Sequence, residues 1–224
     1  MITLILRVRR ADHVSRNFFE AYWRDKHGPL VMGLPEFTRH LTAYKQFHLV
    51  DRPTDSSEHS DGEAWPGFDG IALLSFKDVD AVQAAFREPR FSSVAEPDTL
   101  NFANIPASPS FLCHLVGSDI PPPSRHGGIT LFEFADSNAA TAGLRDWVIG
   151  GSDGPKPNAI EQYESLPERF RDEANQEPLT SITACSFHDV QAASKVLTLL
   201  TKRNSNASSD LKPVYAIARE YVFV

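Results

Sequence analysis

The sequence predicts an α+β fold: two ferredoxin-like βαββαβ repeats packed sheet-to-sheet as a pseudo-dimeric α/β barrel. Three observations predict it. Strand-like and helix-like periodicities follow one another in the order β-α-β-β-α-β, and the same order returns after residue 128. Three consecutive prolines, Pro121 to Pro123, fall between the two series, as an extended spacer would. The chain has 224 residues, enough for two units of roughly 100 residues each. Helices would cover one face of each sheet. The other face must also be buried, so the two sheets are expected to close on each other.

The elements follow in order. Ile2–Val8 is apolar and β-branched, a first strand. Ser15 suits a helix N-cap, and Phe18, Phe19, Tyr22 and Trp23 return at helical spacing to form one apolar face. Gly28-Pro29 is expected to stop that helix, because Gly takes the C-terminal cap and Pro cannot continue the turn. His27 would then be the last or next-to-last helical residue. Leu41–Val50 reads as a second strand. The polar stretch from Asp51 to Gly67 reads as a long connector. Ile71–Phe76 is a third strand, Asp78 caps a helix over Val79–Arg87, and Phe111–Val116 is a fourth strand.

These boundaries place a first repeat at 1–117, a proline-rich linker at 118–128 and a second, degenerate repeat at 129–224. In the second repeat, strands are expected at Ile129–Phe134, Ala159–Ser165, Leu179–Phe187 and Pro213–Val224. Helices are expected at Asn138–Val148 and from Asp189 to Lys202. The two halves share element order, not residue identity.

Charge and motifs narrow the function. A net charge of -7 argues against nucleic acid or anionic membrane as a partner, because phosphate binding needs a basic face. No run reaches the apolar length of a membrane span. Arg7, Arg9 and Arg10 follow the short apolar start, the reverse of a secretory leader. A cytoplasmic location is therefore expected, with Cys113 and Cys185 as free thiols. No CxxC or HExxH spacing suggests a metal, and no GxGxxG, P-loop or GxSxG suggests a nucleotide or a serine nucleophile. Neither metal nor cofactor is expected.

The chemistry-bearing residues cluster in the first half. His27 at a helix C-terminus would have its imidazolium favoured by the macrodipole. A histidine titrating near neutrality can act as acid and base in one turnover. The plain alternative is a helix-end cap in solvent. Tyr44, Gln46 and His48 share one face of a strand. If that face pointed outward, Lys45 and Phe47 would point into the barrel and bury a charge. The polar row is therefore expected to face inward and line a pocket, the alternative being satisfied polar groups under the helices. Asp69 would orient a histidine or hold a substrate hydroxyl, or bond its own turn. Asp98 precedes Leu100 and Phe102, and a helix or turn cap is its simpler role.

Four pieces occur in order: FFEAYWRDKHGPL (18–30), Tyr44-Lys45-Gln46-Phe47-His48, Gly67-Phe68-Asp69-Gly70-Ile71, and Asp98 with Phe102. On these, residues 1–117 resemble the EthD family of the dimeric α/β-barrel superfamily. The resemblance implies a cofactor-free enzyme of aromatic polyketide tailoring in secondary metabolism, of the fungal type, with His27, His48, Tyr44 and Asp69 catalytic. Tyr22, Trp23, Gln46, Phe68, Asp98 and Phe102 would bind a small aromatic substrate. The expected activity is a lyase, decarboxylation first. Dehydration, isomerisation or cyclisation on the same substrates, or a non-catalytic binding or accessory role, are the alternatives. The second half has no H-G-P-L, so one site is expected, in the first repeat. A homodimer through the barrel or the outer surface stays open.

Overall fold

The computed structural model describes residues 1–50, 67–120, 128–135, 143–150, 154–167, 170, 181–204 and 213–224. Its strands are β1 (Ile2–Val8), β2 (Leu41–Leu49), β3 (Gly70–Phe76), β4 (Ser110–Ile120), β5 (Ile129–Ala135), β6 (Ala159–Ser165), β7 (Ser181–Phe187) and β8 (Val214–Val222). They close into one antiparallel barrel in the order β1-β3-β2-β8-β5-β7-β6-β4. Each repeat supplies four neighbouring strands, β4-β1-β3-β2 and β6-β7-β5-β8, the same ferredoxin-like order twice. The halves join where β2 pairs with β8 and where β4 pairs with β6.

Because successive side chains alternate faces, each strand feeds two cores. Ile5, Phe47, Ile71, Leu73, Phe111, Phe132, Phe134 and Ile182 fill the barrel. Outside it, Leu4, Tyr44, Leu74 and Phe76 pack under the helices of the first repeat with Phe19, Trp23, Val31 and Phe37. Leu131, Cys185 and Ile217 do the same under Leu144, Val196 and Leu200 in the second. Strands β3 and β5 are buried at every position. The two cysteines are buried and unpaired with each other. No helix among the described residues is long and apolar enough to cross a membrane.

The helices are α1 (Arg16–Tyr22), α2 (Gly28–Met32), α3 (Pro35–Thr38), α4 (Val79–Phe86), α5 (Glu96–Thr99), α6 (Leu144–Ile149) and α7 (Val190–Asn204). Ser15, Asp78 and Asp189 cap α1, α4 and α7, accepting the N–H groups of Phe18, Ala81 and Ala192. The buried Glu133 carboxylate on β5 does the same for Leu144 at the start of α6, where the sequence showed no cap.

Three expectations need correction. First, Gly28-Pro29 does not end the first helix. A π-turn over Trp23–His27 links α1 directly to α2. The wider turn lets the Gly28 N–H reach the Trp23 carbonyl, and Pro29 then sits in the first turn of a new helical segment, where no N–H is needed. Gly28 is helical; it is a glycine because an added Cβ would lie 2.4 Å from the Phe223 ring. Second, Lys45 does point into the barrel. Its charge is paired there with Glu220, Nζ to Oε1 3.0 Å. Third, β4 continues to Ile120 and pairs Ser118 with Glu161 and Ile120 with Ile160. The expected linker therefore loses its first three positions to strand, because backbone pairing across the repeat junction does not need an apolar side chain. Its residues 121–127, residues 51–66 of the expected connector and residues 138–142 of the expected Asn138–Val148 helix lie outside the described residues.

A fragment of residues 1–117 would expose Ile5, Phe47, Ile71, Leu73 and Phe111, which the second repeat covers in the intact chain. It is expected to self-associate or aggregate in size-exclusion chromatography with light scattering. A stable, soluble monomer would show that the first sheet does not need the second.

Candidate active site

A cleft with about 640 Å³ of empty space, part of it open to solvent, lies between the first repeat's helix layer and the outer face of its half of the barrel. Its walls are mostly apolar: Leu74 from the sheet, Val31 and Phe37 from α2 and α3, and Phe91 and Phe102 from the segments around α5. Trp23, His27, Tyr44, Thr99 and Ser108 supply the polar groups.

His27 is buried in the π-turn, 8% exposed, with its ring 4.9 Å from that of Phe102. Its Nδ1 lies 2.8 Å from Asp98 Oδ2. The other carboxylate oxygen accepts the Tyr22 hydroxyl at 2.7 Å and the Asn101 amide at 3.2 Å. Burial draws the Asp98 pKa up, but the hydrogen bonds from His27 and Tyr22 outweigh it and hold the carboxyl below its usual range. An ionised carboxylate only accepts, so Nδ1 carries the proton of the neutral ring and Nε2 is left with its lone pair. No other described residue bonds Nε2. Burial is the dominant influence on His27 and lowers its pKa, with Asp98 opposing. The helix-end imidazolium expected from the sequence is thus a neutral, oriented imidazole inside a helix.

A second polar group runs along β2. Gln46 Nε2 donates to the Trp23 carbonyl at 3.1 Å and to the Tyr44 hydroxyl oxygen at 2.8 Å. Gln46 Oε1 accepts from His48 Nε2 at 3.1 Å. His48 is sandwiched by Trp23, at 4.8 Å and nearly parallel, and by the edge-on ring of Tyr221, also at 4.8 Å. Its Nδ1 is buried without a partner. Burial, helped by the nearby Arg24 charge, pushes the His48 pKa down to about 3. Tyr44 is buried, stacked 4.9 Å from Phe223, and burial raises its pKa to about 12. The polar row therefore faces the helix layer, not the barrel interior. The inward alternative was preferred to keep Lys45 out of the core, and Glu220 removes that objection.

The sequence candidates thus separate. His27, Asp98, Tyr22, Trp23, Phe102, Tyr44, Gln46 and His48 form one connected group, of which Trp23, His27, Tyr44 and Phe102 reach the cleft. Asp98 is no cap; it anchors the histidine. Asp69 is elsewhere: its carboxylate takes the Arg10 backbone N–H at 2.9 Å and the Arg10 Nε at 3.1 Å, and meets neither a histidine nor its own turn. Phe68, in the turn before β3, packs with the barrel-interior side chains, 5.7 Å from Phe134 and beneath the Arg7 guanidinium at 5.6 Å, although strand alternation from the inward Ile71 and Leu73 would send it outward. Phe37, Thr99, Ile105 and Ser108 carry no signal in the sequence. They sit on short segments of three or four residues, or in turns, which carry too little periodicity to read. Asn101, three residues after Asp98, was the available hint of a polar turn. Among the described residues no group of three or more His, Cys, Asp or Glu side chains is placed to hold a metal ion.

The unfolded His48 imidazole protonates near pH 6.5 and the folded one only near pH 3, so between these values the unfolded state binds more protons. Stability must fall as pH drops through that window, by about 1.4 kcal/mol per pH unit for one such group. Urea midpoints for wild type and His48→Asn at pH 7 and 4.5 are expected to differ in pH dependence, the variant losing roughly 2–3 kcal/mol less on acidification. Equal losses would show that His48 titrates normally.

Comparison with known proteins agrees with the barrel. Over 99% of its length the chain is similar to an anthrone oxidase-like protein of known crystal structure, at 9% identity, 92% coverage of that chain and a TM-score of 0.63. Similar structures also include candidate monooxygenases from Lactobacillus acidophilus (9% identity, 99% of this chain, 94% of that one, TM-score 0.54) and from Fusobacterium nucleatum (9%, 99%, 93%, TM-score 0.51). At such identity they speak for the fold alone. No curated protein matches the sequence. Residues 11–106, which hold every residue of the His27–Asp98 and Tyr44–His48 networks apart from the β8 rings packed on them, match the family model of the EthD domain.

Proposed function

We propose that the chain is a proton-transfer enzyme acting on a flat aromatic acid of the polyketide type, with decarboxylation as its reaction. The observation that carries this reading is the 2.8 Å pairing of Asp98 with His27 Nδ1 at the wall of an apolar cleft. It leaves Nε2 as the base. In the reaction, Nε2 takes the proton of the substrate's carboxylic acid, and the Asp98 charge supports the imidazolium that forms. Loss of carbon dioxide leaves its bonding electron pair on the ring carbon. The imidazolium, kept acidic by burial, returns the proton to that carbon. The net change is acid to arene plus carbon dioxide, and the histidine ends neutral as it began. Dehydration, isomerisation and cyclisation would use the same proton shuttle. The apolar walls favour such chemistry because charge developing on carbon is poorly matched by water.

One second reading has its own support. A neutral base in a dry cleft could instead remove an acidic C–H proton and leave a carbanion for dioxygen. A methylene would then become a carbonyl, with one oxygen atom leaving as water. The names carried by the similar structures, anthrone oxidase-like and monooxygenase, belong to those proteins and lend this reading its weight.

Purified protein incubated with a panel of aromatic polyketide acids, followed by mass spectrometry and an oxygen electrode, separates the two. Loss of carbon dioxide without oxygen uptake is expected. His27→Ala should lower turnover by about 10²–10⁴-fold, and Asp98→Asn should also reduce it. A normally folded His27→Ala protein with wild-type turnover would remove the proposal; oxygen uptake would replace it with the second reading. Binding without turnover across the panel would favour an accessory role.

A further inference from the structure

The Tyr44 hydroxyl has a proton that no described residue accepts. Gln46 can be oriented in only one way, because its Nε2 lies 3.1 Å from the Trp23 backbone carbonyl, which accepts and never donates. Its two amide hydrogens are then both committed, one to that carbonyl and one to the Tyr44 oxygen at 2.8 Å. His48, neutral in its buried sandwich, donates Nε2–H to the remaining amide oxygen. Both of these bonds point the same way: His48 to Gln46, and Gln46 to Tyr44. The phenol oxygen accepts from Gln46, and its O–H has no acceptor among the described residues. Tyr44 is 3% exposed, so water does not freely take that proton. It lines the same cleft as His27.

We infer that Tyr44 is the hydrogen-bond donor for a ligand oxygen, and that the substrate is an aromatic compound in which a carbonyl or phenolic carbon adjoins the carbon that loses or gains the proton. This rests on the proton-transfer reading of the cleft and deepens it. One wall offers a lone pair on His27 and another offers a proton on Tyr44. An enolisable ketone uses both: its C–H bond gives a proton to His27, the electron pair of that bond forms a carbon–carbon double bond, and the carbonyl π pair moves to the oxygen facing Tyr44. A β-keto or ortho-hydroxy aromatic acid presents the same oxygen, because loss of carbon dioxide delivers the electron pair to the same enolate. A donor already on the phenol oxygen strengthens its O–H as a donor, the direction in which Gln46 acts against burial. Gln46 and His48 are thus positioning residues.

The probes are 2-tetralone, a bicyclic aromatic ketone with an acidic methylene, and tetralin, the same skeleton without oxygen. Wild type is expected to prefer 2-tetralone. Tyr44→Phe should lose roughly 5- to 10-fold in 2-tetralone affinity and leave tetralin binding unchanged. In wild type, needing no variant, the carbonyl stretch of bound 2-tetralone should move to lower frequency than in hydrocarbon solvent, and Tyr44→Phe should abolish the shift. No preference for the ketone, an unshifted carbonyl band, or equal losses for both probes would overturn the assignment. Hydrogen–deuterium exchange at the methylene reports on His27 separately. Exchange lost in His27→Ala with the Tyr44 effects absent would end this inference and spare the base. Tyr44 effects present with exchange unchanged in His27→Ala would do the opposite.

Discussion

Closure of the sheet is the constraint on which the rest depends. In a closed barrel both faces of every strand meet packed side chains, one set inside and one under the helices. A strand register that sends Lys45, Phe47 and Leu49 inward necessarily sends Tyr44, Gln46 and His48 outward, and a one-residue slip would exchange them. The buried Lys45–Glu220 pair bridges β2 and β8, the very seam where the two repeats meet. A lone charge there would be costly, while a paired one is tolerated and disfavours alternative pairings. The polar row is placed by what happens on the opposite side of its own strand.

The second constraint is the π-turn. It widens one helical turn so that Trp23 and His27 both stay on the sheet-facing side, and it opens the Trp23 carbonyl to Gln46 as well as to the Gly28 N–H. Gly28 then permits the close approach of Phe223, which stacks on Tyr44. Tyr221, two residues earlier and on the same face, packs against His48 and under the Arg24 guanidinium at 5.5 Å. Residues of the second repeat thereby support polar side chains of the first that border the cleft. That gives the tandem arrangement a role beyond covering a sheet: the end of β8 holds the β2 side chains whose hydrogen bonds aim at the cleft.

Burial and pairing set the electrostatics together. His27 and His48 lie on the same layer, yet only His27 has a carboxylate. His48 has an amide partner on one nitrogen and nothing on the other, so desolvation dominates and keeps it neutral far into acid. His27 feels the same desolvation, opposed by Asp98, and so remains neutral but oriented. Two histidines with the same unperturbed chemistry end up differently partnered, one oriented by a carboxylate and the other a fixed donor, because one faces Asp98 on α5 and the other a glutamine.

Much was legible in the sequence because it is local. Strand and helix periods, the caps at Ser15, Asp78 and Asp189, and the doubled βαββαβ order rest on residues within a few positions of one another, and they determined the fold class and the sharing of one face by Tyr44, Gln46 and His48. What lay beyond reach was pairwise and distant. The sequence could not say which face of β2 looks inward, because that depends on Glu220, 175 residues away from Lys45. Nor could it give Asp98 to His27 rather than Asp69: both aspartates sit beside turns, and only the packing of α5 over the π-turn brings one within 2.8 Å while Arg10 takes the other. The residue types of the site, its histidines, tyrosines and aspartates, were determined by the sequence alone; their directions and partners were decided by tertiary structure, because hydrogen bonds and desolvation act through space and depend on distances that chain order does not set.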